Sequence, residues 1–217
     1  MTLRQTATDL SFYLARQVDL PQKQVDSLRF GLEIIIGSLI KGILLFALAW
    51  ALDIVIPVVV ALLAGSGFRL LAGGAHSTAY VRCLVLSLAI YLLTGWTATT
   101  YAFLISPDQL VNLLFIGFLI CFLAVRWWAP GPVPGKELNS SRHNQFKVLS
   151  LLYLFPWLGA MFYLAGQGHS SLALAGLLAL LAQVFGLSPM GYRLIERYDL
   201  LLSRNDRKEV ATNGGQV

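Results

Sequence analysis

His76 and Cys83 stand seven residues apart, just behind the pair Gly73-Gly74, in a polar break between two apolar stretches. An unassisted thiol of pKa about 8.5 is only a few per cent ionised at neutral pH. A nearby imidazole can take its proton, steady the thiolate as an imidazolium, and later protonate a leaving amine. Spacing limits how this pair can work. On an uninterrupted α-helix, seven residues fall on one face but roughly 10 Å apart along the axis, whereas proton transfer needs about 3–3.5 Å. The segment therefore cannot be one straight helix. Gly73-Gly74 supplies backbone freedom, Ser77-Thr78 can cap a new helix, and Cys83 is expected near its start, where the helix N-terminus favours a thiolate. Arg69 and Arg82 add positive potential, and the backbone N–H groups around Gly73-Gly74-Ala75 or near Cys83 are candidate oxyanion donors.

Plainer readings exist for each residue. Arg69 and Arg82 suit ordinary anchors at a membrane face. A glycine pair usually makes only a turn, and a cysteine at a membrane edge usually packs as a small apolar residue. One His and one Cys are too few for a structural zinc site, with His143 and His169 far off in sequence, so no metal and no cofactor is expected. Cys121 lies inside an apolar run and reads as a buried, inert thiol.

The elements that must position this pair are set by composition. The 217 residues are 57% hydrophobic and 12% charged, about half the charge usual in a soluble domain. Apolar runs of spanning length recur, which predicts an all-α, polytopic membrane bundle and excludes a single soluble core. Six crossings are expected, near 33–52, 54–68, 84–104, 110–128, 148–166 and 171–190. Gly42 to Gly65 could instead form one helix, giving five; the alternative is a tight turn at Asp53 and Pro57. Charge bias favours six. The loops near 106–109 and 166–170 carry no Lys or Arg, while 126–147, the tail after 190 and the N-terminal region are basic. Six crossings put all three basic regions, both termini and the His76–Cys83 loop on the cytoplasmic side. The net charge of +5 is thereby explained by topology, and no nucleic-acid partner is expected. The single membrane domain divides into a cytoplasmic region 1–30 with an amphipathic helix over 3–20, a bundle 31–190 and a basic tail 191–217, disordered after Asn205. Ala129 to Gly135, rich in proline, reads as a turn or open loop, and Pro156 and Pro189 as kink or end points.

These residues resemble the accessory gene regulator B (AgrB) family of membrane endopeptidases in bacterial quorum sensing. The resemblance rests on Arg69, the run Ala72-Gly73-Gly74-Ala75-His76, Cys83, the pair Ala129-Pro130 and the six-crossing layout. It implies a multi-pass protein of the bacterial cell membrane with its active site on the cytoplasmic side. Its substrate would be a short propeptide with an amphipathic leader, which binds the bilayer, and an acidic C-terminal tail. Cys83 would attack the bond before the tail and form a thioester, which the propeptide's own thiol or hydroxyl resolves into a thiolactone or lactone ring. His76 would be the general base and acid, with Arg69, Gly73 and Gly74 in support. Arg82, Lys136, Arg142 and Lys147 could attract the acidic tail, although topology alone accounts for any one of them.

A competing reading is a small transporter or peptide exporter in which Lys41 and Asp53 line a polar path and Cys83 is incidental. A non-enzymatic membrane scaffold is a third. No residue that would orient His76 is visible in the local sequence. Gly37, Gly42, Gly95, Gly117 and Gly176 allow close helix packing, which would permit a homodimer and leaves the oligomeric state open.

Overall fold

The computed structural model describes residues 3–18, 21–75, 77, 79–132 and 139–213. His76, Thr78 and Lys136 lie outside the described residues. All regular structure among them is helical, and six helices are long and apolar enough to cross a membrane. The chain divides into two compact units, residues 1–48 and 49–217.

The first unit holds α1 (Leu3–Val18) and most of α2 (Gln22–Ala51). Pro21 stands between them and starts α2, its carbonyl accepting from Gln24 N–H at 2.8 Å. Proline suits that place because the first N–H groups of a helix have no partner inside it.

Asp53 decides the count of crossings. Its φ is +56°, so α2 stops there. Asp53 N–H bonds Trp50 C=O at 3.1 Å and Ile54 N–H bonds Ala49 C=O at 2.9 Å, the paired closure of a Schellman stop with an Asp where glycine is usual. α3 (Val55–Ala72) then begins, so Gly42 to Gly65 is two helices.

The second unit continues with α4 (Tyr80–Tyr101), a 3-10 turn, α5 (Pro107–Trp128), α6 (Ser140–Gly166), α7 (Ser170–Leu187) and α8 (Pro189–Asn213). α7 is central, packing against α3, α4, α5 and α6. Lipid tails are as apolar as leucine, so helices associate through close packing of small residues. On α7 these are the buried Ala173, Ala175, Gly176 and Ala179. Gly95 of α4 serves likewise, since a Cβ there would come within 2.6 Å of Val58 Cγ2. The outer faces stay apolar, as Ile116, Leu119, Ile120 and Leu123 of α5 show.

Local sequence accounts for most ends. α5 opens on a capping box, with Ser106 Oγ accepting from Gln109 N–H and Gln109 Oε1 from Ser106 N–H. Ser188 is extended and accepts from Gly191 N–H at 3.1 Å, so Pro189 separates α7 from α8. α6 remains one helix through Pro156. The tail departs from expectation. α8 is helical to Asn213, past Asn205 where disorder was expected; residues 192–213 contain no glycine or proline and are rich in Leu and Arg, which favour helix.

Two hydrogen bonds draw the inter-helix segments to one end of the second unit. Gly131 N–H reaches Ala72 C=O at 2.8 Å, and Ala75 N–H reaches Gly186 C=O at 3.0 Å. The segment after α3, the turn after α5 and the junction of α7 with α8 therefore meet.

Candidate functional site

Arg69, in the last turn of α3, organises this end. Its Nη2 donates to Ala75 C=O at 2.5 Å and its Nη1 to Gln183 Oε1 at 3.0 Å. Gln183, buried on α7, donates through Nε2 to the Tyr91 hydroxyl at 3.4 Å, which shares a hydrogen with Ser66 Oγ at 3.0 Å. A polar chain thus runs through α3, α7 and α4, its members paired as an apolar surrounding demands. Gly65 makes room for it, since a Cβ there would lie 3.1 Å from the Tyr91 hydroxyl.

The glycine pair bends the chain out of α3. Gly73 has φ +74° and Gly74 φ +135°, where side chains are strongly disfavoured. Gly73 N–H is spent on Arg69 C=O at 2.9 Å and Ala75 N–H on Gly186. Of the Gly73, Gly74 and Ala75 amides, which are among the candidate oxyanion donors, only that of Gly74 has no backbone acceptor among the described residues. Gly131 lies against it, because a Cβ on Gly131 would be 3.0 Å from Gly74 N and 2.6 Å from the Tyr192 hydroxyl. That hydroxyl is buried and has no hydrogen-bond partner among the described residues. Burial pushes the Tyr192 phenol up from its ordinary pKa, and the Arg69 guanidinium opposes the shift.

Cys83 lies in the first turn of α4, half-buried, its N–H on Ala79 C=O at 3.0 Å and its C=O accepting from Ser87 Oγ at 2.6 Å. Neither cysteine forms a disulfide, and Cys121 is fully buried. The helix begins three residues before Cys83, so Cys83 is near its start as expected, but Ala79, extended (φ −107°, ψ 136°), acts as the N-cap without a side-chain bond. Ser77 does not cap this helix. Its hydroxyl instead donates to Asp199 Oδ1 of α8 at 2.5 Å. Arg82 reaches the same oxygen at 3.5 Å and Asp199 C=O at 3.0 Å. Only 15% of the Arg82 side chain and 12% of the Asp199 side chain are exposed.

The remaining sequence candidates are dispersed. Arg142 is exposed in the first turn of α6 and Lys147 is half-buried farther along that helix. Asp53 is exposed at the opposite end of α3, about 24 Å from Arg69 by helical rise. An apolar groove of about 710 Å³ runs between α5, α7 and the start of α8, lined by Ile120, Trp127, Val184, Phe185 and Met190 with Arg193 beside them.

Sequence reading missed Gln183, Asp199, Gly131 and Tyr192. Gln183 had a signal, as the lone amide in a run of Ala and Leu where a polar group is costly. Asp199 had none, since it reads as one more charge in a polar tail.

A bundle of spanning helices with a polar, glycine-bent segment at one end defines a multi-pass membrane protein of helical type. The family model for accessory gene regulator B matches residues 7–187, and the chain belongs to that family. Membership carries involvement in the accessory gene regulator quorum-sensing system. No curated protein and no solved structure matches the chain.

Proposed function

We propose that this protein is a membrane cysteine endopeptidase that removes the acidic tail of a short quorum-sensing propeptide and promotes closure of a thiolactone or lactone. The observation that carries this reading is the tether between the segment holding His76 and the helix turn holding Cys83. Ser77, which follows His76, and Arg82, which precedes Cys83, bond the same carboxylate oxygen. The chain leaves the straight helix that would keep the pair about 10 Å apart.

His76 takes the thiol proton, and the Cys83 thiolate attacks the carbonyl of the bond before the tail. The carbon–nitrogen bond breaks, His76 returns the proton to the departing amine, and a thioester to Cys83 remains. The internal thiol or hydroxyl of the propeptide then attacks that thioester, giving its proton to His76 and releasing Cys83. Exchange of one thioester for another is nearly balanced, so proximity and exclusion of water decide the outcome. Gly74 N–H is the donor available to the oxyanion. Arg142 and Lys147, in the N-terminal part of α6, and Lys136, which precedes that helix in sequence, suit the acidic tail, while the amphipathic leader binds the inner leaflet of the cell membrane.

The transport reading has less behind it. Asp53 is exposed and serves as a helix stop, which explains its presence without a polar path. The deciding experiment is cleavage of a genomically adjacent propeptide by purified protein in bilayers, followed by mass spectrometry. Tail release with an acyl adduct on Cys83, absent from Cys83→Ala and strongly slowed in His76→Ala, is expected. Full cleavage by Cys83→Ala would remove the assignment.

A further inference from the structure

Asp199 is a nearly buried carboxylate on α8, beyond residue 187 where the family match ends. Removing a carboxylate from water is costly unless it is paired and hydrogen-bonded. Here it is both. Its Oδ1 accepts from Ser77 Oγ at 2.5 Å and lies 3.5 Å from Arg82 Nη1, which also donates to Asp199 C=O at 3.0 Å. One carboxylate thus holds the residue after His76 and the residue before Cys83.

The other side of this segment is anchored as well. Ala75 gives its N–H to Gly186 and receives Arg69 on its C=O. Both chain neighbours of residue 76 are therefore fixed, Ala75 by α3 and α7 and Ser77 by α8. Between Ser77 and Arg82 the extended Ala79 breaks helical continuity, so local backbone bonding alone does not set the geometry across this stretch. Contacts to Asp199, 122 residues from Ser77 and 117 from Arg82, bridge it.

We propose that Asp199 is a positioning residue: by gathering Ser77 and Arg82 on one carboxylate it sets the approach of His76 to Cys83, making α8 part of the catalytic apparatus. This rests on the endopeptidase reading above. A misplacement of about 1 Å at a reacting pair can cost ~10²-fold in rate, so loss of the clamp acts on kcat. KM stays nearly unchanged, because propeptide binding draws on the bilayer and on the basic residues at the start of α6.

The test compares wild type, Asp199→Asn, Ser77→Ala and Cys83→Ala in nanodiscs, following tail release, the Cys83 acyl adduct and the rate at which N-ethylmaleimide labels Cys83. Asp199→Asn keeps the size and an acceptor for Ser77 but removes the charge that holds Arg82. The expected result is kcat lower by ~10-fold or more, KM within about twofold, a changed Cys83 labelling rate and an unaltered melting temperature. Ser77→Ala, which severs only one arm, gives a smaller loss of the same kind and carries the test if Asp199→Asn fails to fold. Wild-type kcat and labelling rate in the folded variants, with Cys83→Ala inactive, overturn the positioning role. Undiminished cleavage by Cys83→Ala overturns instead the endopeptidase reading on which it rests.

Discussion

Arg69 offers the sharpest test of how this end of the bundle is held. Replacing it with methionine keeps most of its apolar stem but removes the donors to Ala75 C=O and Gln183 Oε1. Both acceptors belong to residues under 10% exposed. An acceptor left unmade in such a place costs about 1–3 kcal/mol. Arg69 is only half-buried, so water recovers part of the loss, and about 2 kcal/mol in total is expected. For a chain of this length that lowers the melting temperature by about 4–8 °C. Gln183→Leu alone strands the other half of the same bond. The double substitution removes both partners, so its cost falls short of the sum of the singles by about 1 kcal/mol or more. Thermal unfolding in nanodiscs, followed by tryptophan fluorescence, measures all three variants, and hydrogen exchange at the Ala75 amide shows whether the bond to Gly186 loosens with them. Additive single effects, or Arg69→Met melting within a degree of wild type, would refute the claim that this network clamps the Gly73–Ala75 bend.

Gly131→Ala should cost about 1–3 kcal/mol by overpacking, because its Cβ meets the Tyr192 hydroxyl at 2.6 Å; adding Tyr192→Phe should restore part of the melting temperature, and no recovery counts against that contact. Asp53→Gly should stabilise the fold by about 1 kcal/mol or less, seen as a slight rise in melting temperature, since glycine adopts positive φ without the steric penalty. The same variant should keep full propeptide cleavage, whereas a transport role for Asp53 requires lost activity. Maleimide labelling of folded protein should modify about one thiol per chain, at Cys83, since Cys121 is fully buried; peptide mapping that finds Cys121 labelled equally fast would contradict the packing of α5.

Much of this protein was legible in its sequence because lipid leaves few options. Backbone groups must be satisfied inside each crossing, so apolar length and breaks reveal the helices directly. Asp53 and Pro189 marked helix ends in the sequence, and short-range chemistry within a few residues makes them so; the capping box of Ser106 with Gln109 acts at the same range, but sequence reading missed it. The motif of Gly73, Gly74, His76 and Cys83 stood out by residue type, and the bend it required follows from helical rise alone. The role of Ser77 was misread because a hydroxyl near a helix start suggests a cap, and only folding brings a competing carboxylate to it.

What tertiary structure alone decided is which distant residues serve that bend. Gly131 and Gly186 bond the chain on either side of the glycine pair, and Arg69 is committed to Gln183 and Ala75. Asp199 meets Ser77 and Arg82 across more than 110 residues of chain. These pairings depend on how α3, α4, α7 and α8 pack, and packing depends on the summed shapes of small residues along whole faces. No local pattern encodes that sum, which is why composition and spacing determined the helices and marked the His76 and Cys83 motif, and only their assembly determined what holds its two segments together.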